Sequence, residues 1–294
     1  MTFQTIKEFL NDAVQILEQA GIEDAKFNVN LIASKILRIE HTKLPLYWSE
    51  TPSDSFISEF QKMLERRLSH EPLQYILGEW CFLDFDINVG EGALIPRPET
   101  EEVFLAAVEA IKANSVKTDF KFADVGTGTG ILGIAMAKYF LKAIGYLVDI
   151  SDKALEIANV NLQKYSELNS RLSLIKSDLL EVFKPDSLDV IISNPPYIDS
   201  DEVKTLMPEV VEYEPHLALD GGKKGLVIIQ KLLKQSEKVL KDNGLLVFEH
   251  GHGQRNEIKE LLCSSWKIIK EGNDFAGNER YFVLQLNKNL YEKN

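Results

Sequence analysis

The spacing of apolar residues divides the chain into a front part with a helical period and a longer part in which strands and helices alternate. Within residues 1–75, apolar side chains recur every three or four positions, beginning with Phe3, Ile6, Leu10 and Leu17. This spacing places them on one face of a helix, and Gly21 follows where a helix-ending glycine is expected. The pattern predicts further helices over residues 24–37 and 54–69, so we expect residues 1–75 to form a small helical domain that recognises a partner.

The apolar period changes to two near residue 80, which is typical of strands. Residues 80–82 and 85–89 predict a β-hairpin, so we expect residues 76–95 to link two domains. A helix is expected to begin at Pro98, because proline fits the first turn of a helix. Glu99 follows at the positive end of the helix dipole, where a carboxylate is stabilised.

From residue 120 onward, predicted strands and helices alternate to the end of the chain. Strands are predicted at 120–125, 145–150, 172–177, 188–193, 244–249, 266–270 and 280–286, and helices at 131–141, 153–165, 224–239 and 256–263. Such alternation is typical of an α/β domain whose mostly parallel sheet is doubly wound, with helices on both faces. We expect residues 96–294 to form this domain and to bind ligands beyond the carboxyl ends of the strands, where the strand order reverses.

Composition and charge narrow the class of protein. The 294 residues carry a formal net charge of −12, whereas a protein that grips a nucleic-acid backbone normally presents a basic stripe, so we expect no nucleic-acid substrate. No apolar run approaches the ~18 residues of a membrane span, and the N-terminus lacks the apolar core of a signal peptide. Cys81 and Cys263 lack the spacing of a metal or redox pair. We expect a cytoplasmic protein with no membrane partner and no metal.

The first strand of the alternating region ends in a glycine-rich turn that opens directly into a helix. Glycine permits the tight turn and a close backbone approach to a ligand, and the helix N-terminus adds free N–H groups. We expect a nucleotide-containing cofactor to contact this turn through Asp124, Gly126, Thr127, Gly128, Thr129 and Gly130. The second strand ends at Asp149, whose carboxylate can accept the ribose hydroxyls. The third strand ends just before Asp178 and Leu179, which can hold an adenine ring.

Three interpretations of the turn are open from its residues alone. Residues 128–133 satisfy G-x-G-x-x-G, and Asp149 lies about 20 residues further on, as in NAD-binding proteins. The second interpretation is a tight turn without any ligand. The third is S-adenosylmethionine, because Asp124 would repel a pyrophosphate but favour the positive sulfonium and ammonium groups of that cofactor. We favour the third, since no hydride-transfer group stands elsewhere in the chain.

A stiff corner follows the strand predicted at 188–193, with the sequence Asn194-Pro195-Pro196-Tyr197. Proline supplies no N–H and holds the preceding residue extended, so the carbonyl groups of the corner stay available. The side-chain oxygen of Asn194 and the carbonyl of Pro195 can accept the two N–H groups of a planar –NH2 group and direct its lone pair at a methyl group. We therefore expect Asn194, Pro195 and Tyr197 to be catalytic, with Tyr197 stacking on the planar group. Pro196 is expected to touch the substrate, and Asn194 to adjoin the cofactor as well.

Several segments extend this pattern over nearly the whole chain: EPLQYILGEWCFLDFDINVGEGALIPRPETE (71–101), FADVGTGTG, SNPPYI, VEYEPHLALDGG (211–222), GLLVFEHG and NDFAGNERYF (273–282). With them the chain resembles the protein-(glutamine-N5) methyltransferases that modify peptide chain release factors, the PrmC/HemK family. The resemblance implies a Rossmann-like methyltransferase sheet closed by antiparallel strands, behind a helical domain and a linking β-hairpin. It also implies methyl transfer from S-adenosylmethionine to the glutamine of a Gly-Gly-Gln motif in a release factor, which the helical domain helps to hold.

By motif, the resemblance assigns residues 126–130, Asp149 and Leu179 to S-adenosylmethionine and residues 194–197 to the glutamine amide. Leu179 departs from the family pattern, because some relatives carry an aromatic residue at this position. Two residues of the IPRPET stretch are implied to border the substrate, Arg97 and Glu99. Two other substrates stay open from the residues: a glutamine of a ribosomal protein, and an amino group of a nucleic acid such as adenine N6.

Two polar groups have no settled role from the sequence. Glu214 is a candidate for positioning the substrate, with a solvated or helix-capping position as alternatives. The segment EHGH (249–252) contains His250 and His252, which could suggest a metal site. Because no further ligands are spaced to join them, we favour the interpretation that this segment is the end of a strand.

Overall fold

A computed structural model describes residues 4–114 and 116–288, so the predicted helix position Phe3 lies outside the described residues. These residues divide into two compact units, one within Met1–Glu79 and Pro208–Tyr213 and the other within Trp80–Met207 and Glu214–Asn294. The domain boundaries expected at residues 75 and 95 stay a prediction. Over the described ranges, no helix combines the length and the apolar character needed to cross a membrane.

Helices and strands make up much of both units. In chain order the helices are α1 (Ile6–Gln19), α2 (Ala25–Leu37), α3 (Asp54–Leu68), α4 (Leu73–Leu77), α5 (Pro98–Ala113), α6 (Ile131–Tyr139), α7 (Asp152–Lys164), α8 (Pro208–Tyr213), α9 (His216–Leu219), α10 (Val227–Val239) and α11 (Arg255–Leu261). The strands are β1 (Glu79–Phe82), β2 (Phe85–Asn88), β3 (Lys121–Val125), β4 (Ile144–Asp149), β5 (Leu172–Lys176), β6 (Leu188–Ser193), β7 (Leu240–Glu249), β8 (Trp266–Asn273) and β9 (Glu279–Leu286). Short 3-10 helices lie at His41–Tyr47, Ser166–Leu168, Val203–Thr205 and Lys223–Gly225.

The first unit packs its N-terminal helices around aromatic side chains. Thr5 and Ser53 cap α1 and α3, because each side chain accepts a backbone N–H from the first turn. Phe9 of α1 meets Phe60 of α3 edge-on, with ring centroids 5.1 Å apart. The chain leaves α1 through Gly21 at φ 74°, which confirms the predicted helix-ending glycine. The helical period therefore predicted this region correctly.

Helix α8 belongs to the first unit although it follows β6 in the chain. The Tyr213 hydroxyl donates to the backbone carbonyl of Ser69 at 2.7 Å. The guanidinium of Arg67, which is 4% exposed, donates to the Glu209 carboxylate at 2.5 Å and to the Asn28 side chain at 2.7 Å. Burying this charge is tolerated because its N–H groups are paired.

The described residues of the second unit include a seven-stranded sheet with the order β5-β4-β3-β6-β7-β9-β8. Strands β3 to β7 pair in parallel, whereas β9 runs antiparallel to β7 and β8 antiparallel to β9. This confirms the predicted mostly parallel sheet with antiparallel closing strands, and β1 and β2 form the predicted hairpin. From β3 the chain adds β4 and β5 on one side of the sheet, and it then returns to add β6 and β7 on the other side of β3. The strand order therefore reverses between the carboxyl ends of β3 and β6.

Two elements begin three or more residues away from the predicted position. The helix predicted from residue 224 begins at Val227, because Lys224 and Gly225 have φ values of 58° and 67° and cannot continue a right-handed helix. The strand predicted from residue 244 begins at Leu240, and Asn243 adopts φ 63° inside it. Both differences lie where the backbone takes a left-handed conformation, which an apolar pattern does not reveal.

Candidate active site

The turn after β3 depends on backbone angles that favour glycine. Gly126, Gly128 and Gly130 have φ values of 69°, 53° and 85°, in the left-handed region that strains residues with side chains. The N–H groups of Gly126 and Thr127 both donate to the carbonyl of Val148 in β4, at 2.9 and 3.0 Å. The turn is therefore fixed between two parallel strands, beside the point where the strand order reverses.

Asp124 lies at the base of this turn. One carboxylate oxygen accepts hydrogen bonds from the Thr127 hydroxyl at 2.5 Å and from the Gly133 N–H at 2.9 Å. The other oxygen is buried and has no hydrogen-bond partner among the described residues. Burial raises the pKa of Asp124 to about 7. Asp124 thus holds the shape of the turn and leaves one oxygen for which a nearby positive charge would be favourable.

Asp149, the last residue of β4, holds the same turn from the neighbouring strand. Its carboxylate accepts hydrogen bonds from the Gly128 N–H at 3.0 Å and from the Ser151 N–H at 2.9 Å. Burial raises the pKa of Asp149. Each carboxylate oxygen can accept more than one hydrogen bond, so Asp149 stays able to bind a hydroxyl group.

Residues 194–197, called here the NPPY corner, leave β6 beside the glycine-rich turn. The Ser193 hydroxyl donates to the last carbonyl of β3 at 2.7 Å, which ties the ends of the two strands together. In the described part of the chain, no hydrogen bond ends on the backbone carbonyl of Asn194 or Pro195. Gln254 supports the corner, because its amide nitrogen donates to the carbonyl of the last corner residue at 2.8 Å. The corner therefore presents carbonyl acceptors from a braced backbone.

A series of side-chain hydrogen bonds connects the NPPY corner to α5 and β7. Asn194 donates from its amide nitrogen to the Thr100 hydroxyl at 3.0 Å. Thr100 donates to the carboxylate of Glu249 at 2.7 Å, and the Tyr197 hydroxyl donates to the other oxygen of that carboxylate at 2.8 Å. Burial raises the pKa of both Glu249 and Tyr197. One buried carboxylate thus holds Tyr197 directly and Asn194 through Thr100.

A cavity of about 270 Å³ opens beside the turn and the corner. The predicted site residues that line it are Gly126, Thr127, Gly128, Thr129, Asp149, Asp178, Leu179, Asn194 and Pro196. The predicted site residues outside its lining are Asp124, Gly130, Pro195, Tyr197, Arg97 and Glu99. The structure therefore brings the predicted nucleotide end and the predicted reaction end of the site together in one cavity. The roles expected of the individual residues stay predictions.

The lining of the cavity is largely apolar, with a negative balance of charge. Its ionisable groups, within the described residues, are Asp149, Asp178, Asp220 and Lys231. Lys231 forms ion pairs with Asp178 and, at 3.2 Å, with Glu181. Apolar lining residues include Leu132, Ile150, Leu179 and Ile228. This combination suits a ligand with a flat apolar ring, hydroxyl groups and a positive charge.

Three residues in or beside the site were not predicted from the sequence: Thr100, Glu249 and Lys231. Lys231 lies inside a helix, where an exposed lysine is ordinary, so it carried no signal. Glu249 has a weak signal in the sequence, because it ends a predicted parallel strand and so lies at the same edge of the sheet as Asp149. Thr100 lies two residues after Pro98 within the IPRPET stretch, whose predicted site residues are Arg97 and Glu99.

Glu214 pairs with Arg97 and is 1% exposed, so the solvated interpretation of Glu214 is wrong. Its carboxylate also accepts the backbone N–H of Ile95 at 3.1 Å. The guanidinium of Arg97 is 34% exposed. Glu214 therefore fixes the segment that leads into α5 and leaves part of the guanidinium accessible.

The EHGH segment begins at the end of β7, as the strand-end interpretation predicted. His250 is buried, with Nδ1 2.8 Å from the carbonyl oxygen of Gly251. Burial lowers the pKa of His250 to about 4, so its ring is neutral at pH 7. Across residues 4–114 and 116–288, no group of three or more His, Cys, Asp or Glu side chains is arranged to hold a metal ion.

Known proteins resemble this chain over most of its length. Two family profiles match the chain, the PrmC N-terminal domain over residues 8–78 and the methyltransferase small domain over residues 104–241. A release factor glutamine methyltransferase from Thermodesulfovibrio yellowstonii is 35% identical over 275 residues, which are 90% of this chain and 96% of that protein. One from Clostridium botulinum is 34% identical over 283 residues, 94% of this chain and 97% of that protein. A solved methyltransferase from Pyrococcus furiosus has a TM-score of 0.50 at 21% identity, over 70% of this chain and 90% of its own.

The parallel sheet, its glycine-rich turn and the cavity at the strand-order reversal define a methyltransferase of the Rossmann-like class. The solved structure supports this fold alone. The two relatives show the family as well as the fold, because each matches nearly the whole chain. The chain belongs to the release factor glutamine methyltransferase family, which confirms the family expected from its motifs.

Replacing Asp124 with asparagine is expected to change how stability depends on pH. Burial raises the pKa of Asp124 to about 7, so between about pH 4 and pH 7 the folded protein keeps a proton that the unfolded chain has released. The free energy of unfolding therefore falls as pH rises through this window, by up to about 1.4 kcal/mol per pH unit. Asp124→Asn removes this contribution. The free energy of unfolding of the variant minus that of wild type should therefore increase from pH 5 to pH 8, measured by urea unfolding.

The exposed residue Asp201 supplies the control for the loss of a carboxylate. Asp201→Asn should differ from wild type by nearly the same amount at both pH values, because the Asp201 side chain is in contact with water in the folded protein. A stability difference between Asp124→Asn and wild type that does not change with pH would contradict the prediction.

Proposed function

We propose that the protein transfers a methyl group from S-adenosylmethionine to the side-chain amide nitrogen of the glutamine in the Gly-Gly-Gln motif of peptide chain release factors. The observation that carries the proposal is the meeting of the glycine-rich turn and the NPPY corner at one cavity. Family membership supports the choice of a release factor over a ribosomal protein or a nucleic acid.

The lining of the cavity supports S-adenosylmethionine as the cofactor. Asp149 would accept the ribose hydroxyls, and Asp178 and Leu179 would hold the adenine ring. Within the described residues, one buried oxygen of Asp124 has no hydrogen-bond partner. The negative charge that Asp124 carries once it releases its proton, at about pH 7, favours a cationic ligand over the pyrophosphate of a dinucleotide. When bound, the cofactor supplies a methyl group activated by a positive sulfonium.

The NPPY corner would hold the glutamine amide. The side-chain oxygen of Asn194 and the carbonyl of Pro195 would accept its two N–H groups, which orients the nitrogen lone pair. Positive charge develops on this nitrogen during transfer, and acceptors that are fixed in advance stabilise it without reorganisation. The Tyr197 ring is held by the hydrogen bond from its hydroxyl to Glu249. We assign no general base, because the methylated amide is acidic enough to lose its proton to water.

We also propose a separate role for each of three segments of the chain. Residues 1–75 would form the substrate-recognition domain, residues 76–95 the linker and residues 96–294 the methyltransferase domain. The match of the PrmC N-terminal domain to residues 8–78 supports a dedicated role for the helical part. A protein substrate is compatible with the net charge of −12, whereas a nucleic acid would be repelled by it. The reaction would take place in the cytoplasm, where release factors act.

Incubation with labelled S-adenosylmethionine and a purified release factor is expected to label the factor on a single glutamine. Peptide mass mapping should find one added methyl group in the Gly-Gly-Gln peptide. A release factor whose motif glutamine is replaced by glutamate should stay unlabelled. Label on a ribosomal protein or a nucleic acid, with the release factor unlabelled, would contradict the proposal.

Calorimetry tests the cofactor without turnover. S-adenosylhomocysteine should bind to the isolated protein, and NADH should not, because the aspartates of the lining and the buried Asp124 at the base of the glycine-rich turn disfavour a pyrophosphate. Binding of NADH without binding of S-adenosylhomocysteine would reject the methyltransferase assignment of the cavity.

A further inference from the structure

We propose that Thr100 and Glu249 set the direction of the Asn194 side-chain amide, so that its oxygen and not its nitrogen is presented to the substrate. Both would be positioning residues, because they act through Asn194. The inference rests on the proposed function, since it concerns how the same site holds a substrate amide. It follows from which atoms donate and which accept along the hydrogen bonds from Glu249 to Asn194.

The carboxylate of Glu249 determines the first step, because an ionised carboxylate only accepts hydrogen bonds. Its oxygens lie 2.7 Å from the hydroxyl oxygen of Thr100 and 2.8 Å from that of Tyr197. Both hydroxyl groups therefore donate to it. A threonine hydroxyl has a single hydrogen, so Thr100 can only accept from its other neighbour. The Asn194 amide, 3.0 Å away, must present its NH2 group to Thr100.

This arrangement leaves Oδ1 of Asn194 as the available acceptor. An asparagine amide carries its acceptor and its donor on opposite arms, so turning the nitrogen toward Thr100 turns the oxygen away from it. Within the described ranges, no hydrogen bond ends on Oδ1, and Asn194 lines the cavity. With the amide reversed, an NH2 group would face the N–H groups of the substrate, and one of the two acceptors would be lost.

The surroundings of Glu249 make this direction persistent. Glu249 is 0% exposed and Thr100 is 4% exposed, so water does not compete for their hydrogen bonds. Besides the two hydroxyl donors, the charged groups that act on Glu249 are Arg280, which favours the ionised form, and Glu99, which opposes it. Burial raises the pKa of Glu249, whereas the two hydroxyl donors and Arg280 favour the ionised form, in which the carboxylate only accepts hydrogen bonds.

Replacing Thr100 with valine removes both hydrogen bonds of the hydroxyl while keeping the branched shape. We expect Thr100→Val to lower kcat for methylation of a purified release factor by at least about tenfold, because a misdirected acceptor no longer stabilises the developing charge. KM for the release factor and Kd for S-adenosylhomocysteine should stay within about threefold of wild type. Thr100→Ser keeps the hydroxyl and should restore kcat to within about threefold of wild type.

A double-mutant cycle with Asn194 separates positioning from general damage. If Thr100 acts through the Asn194 amide, Thr100→Val should have no further effect once that amide is absent. The single variant Asn194→Ala and the double variant with Thr100→Val should therefore have kcat values within about threefold of each other. Two independent sites would instead give losses that multiply.

Three results would overturn the proposal. The first is wild-type kcat in Thr100→Val, and the second is the same fold loss from Thr100→Val with and without Asn194. The third is a loss of S-adenosylhomocysteine binding as large as the loss of kcat, which would mean a structural role. Failure of the wild-type protein to methylate a release factor would reject the proposed function and the inference with it, and the same assay reports it separately.

Discussion

Replacing Asn194 with alanine is expected to lower kcat for methyl transfer to the release factor by about 100-fold or more. The substitution removes Oδ1, one of the two acceptors proposed to bind the substrate amide, and a single preorganised polar partner commonly contributes this much. Binding of S-adenosylhomocysteine should change little, because Asp149 and the glycine-rich turn keep the hydrogen bonds that shape them. Initial rates with labelled S-adenosylmethionine and calorimetry measure the two quantities.

Asn169→Ala is the matched control, because Asn169 is exposed and lies outside the lining of the cavity. It should keep the wild-type kcat. Turnover of Asn194→Ala near the wild-type rate would rule out Asn194 as an amide acceptor. Equal losses of cofactor binding and turnover would assign Asn194 to the cofactor instead of the substrate.

The NPPY corner could be predicted from the sequence because its causes are local. An apolar run predicts β6, and two prolines end it within the next three residues. The glycine-rich turn is local in the same way, since positive φ values favour glycine at Gly126, Gly128 and Gly130. The order of strands in an alternating fold then places the turn and the corner at one edge of the sheet.

The contact between Thr100 and Glu249 could not be predicted in this way, because it joins residues 149 positions apart. Each residue belongs to a predicted element, but periodicity does not say how the first turn of α5 packs against the end of β7. Helix α8 shows the same limit in the first unit, where Tyr213 bonds to Ser69 across 144 positions. Local patterns thus predicted the elements and the reactive motifs, whereas the side chains that hold those motifs depend on tertiary packing.

Gly225 packs against the backbone of the NPPY corner and offers a direct test of how closely that corner must be held. It has φ 67°, and a Cβ atom at this position would lie 1.9 Å from the carbonyl oxygen of Tyr197. The same atom would lie 2.5 Å from Nε2 of Gln254, which donates to that carbonyl at 2.8 Å. Such distances are too short for atoms that are not bonded, so a side chain here must displace the corner.

Gly225→Ala is therefore expected to reduce both stability and turnover. Left-handed backbone strain and overpacking together should lower the free energy of unfolding by about 3 kcal/mol. A displacement of the corner by about 1 Å should lower kcat by about 100-fold, because Asn194 and Pro195 would no longer align the substrate amide. Urea unfolding measures the first effect, and initial rates with the release factor measure the second.

Gly277→Ala separates the collision from the backbone strain, because Gly277 has φ 86° but no atom within 4 Å of a Cβ built there. This variant should lose about 1 kcal/mol of stability and keep kcat within about threefold of wild type. Equal losses of stability in the two variants would mean that positive φ alone explains Gly225, and an unchanged kcat in Gly225→Ala would mean that the corner tolerates displacement. The expected difference has a physical cause: glycine is needed at residue 225 because the carbonyl group of Tyr197 leaves no space for a larger residue.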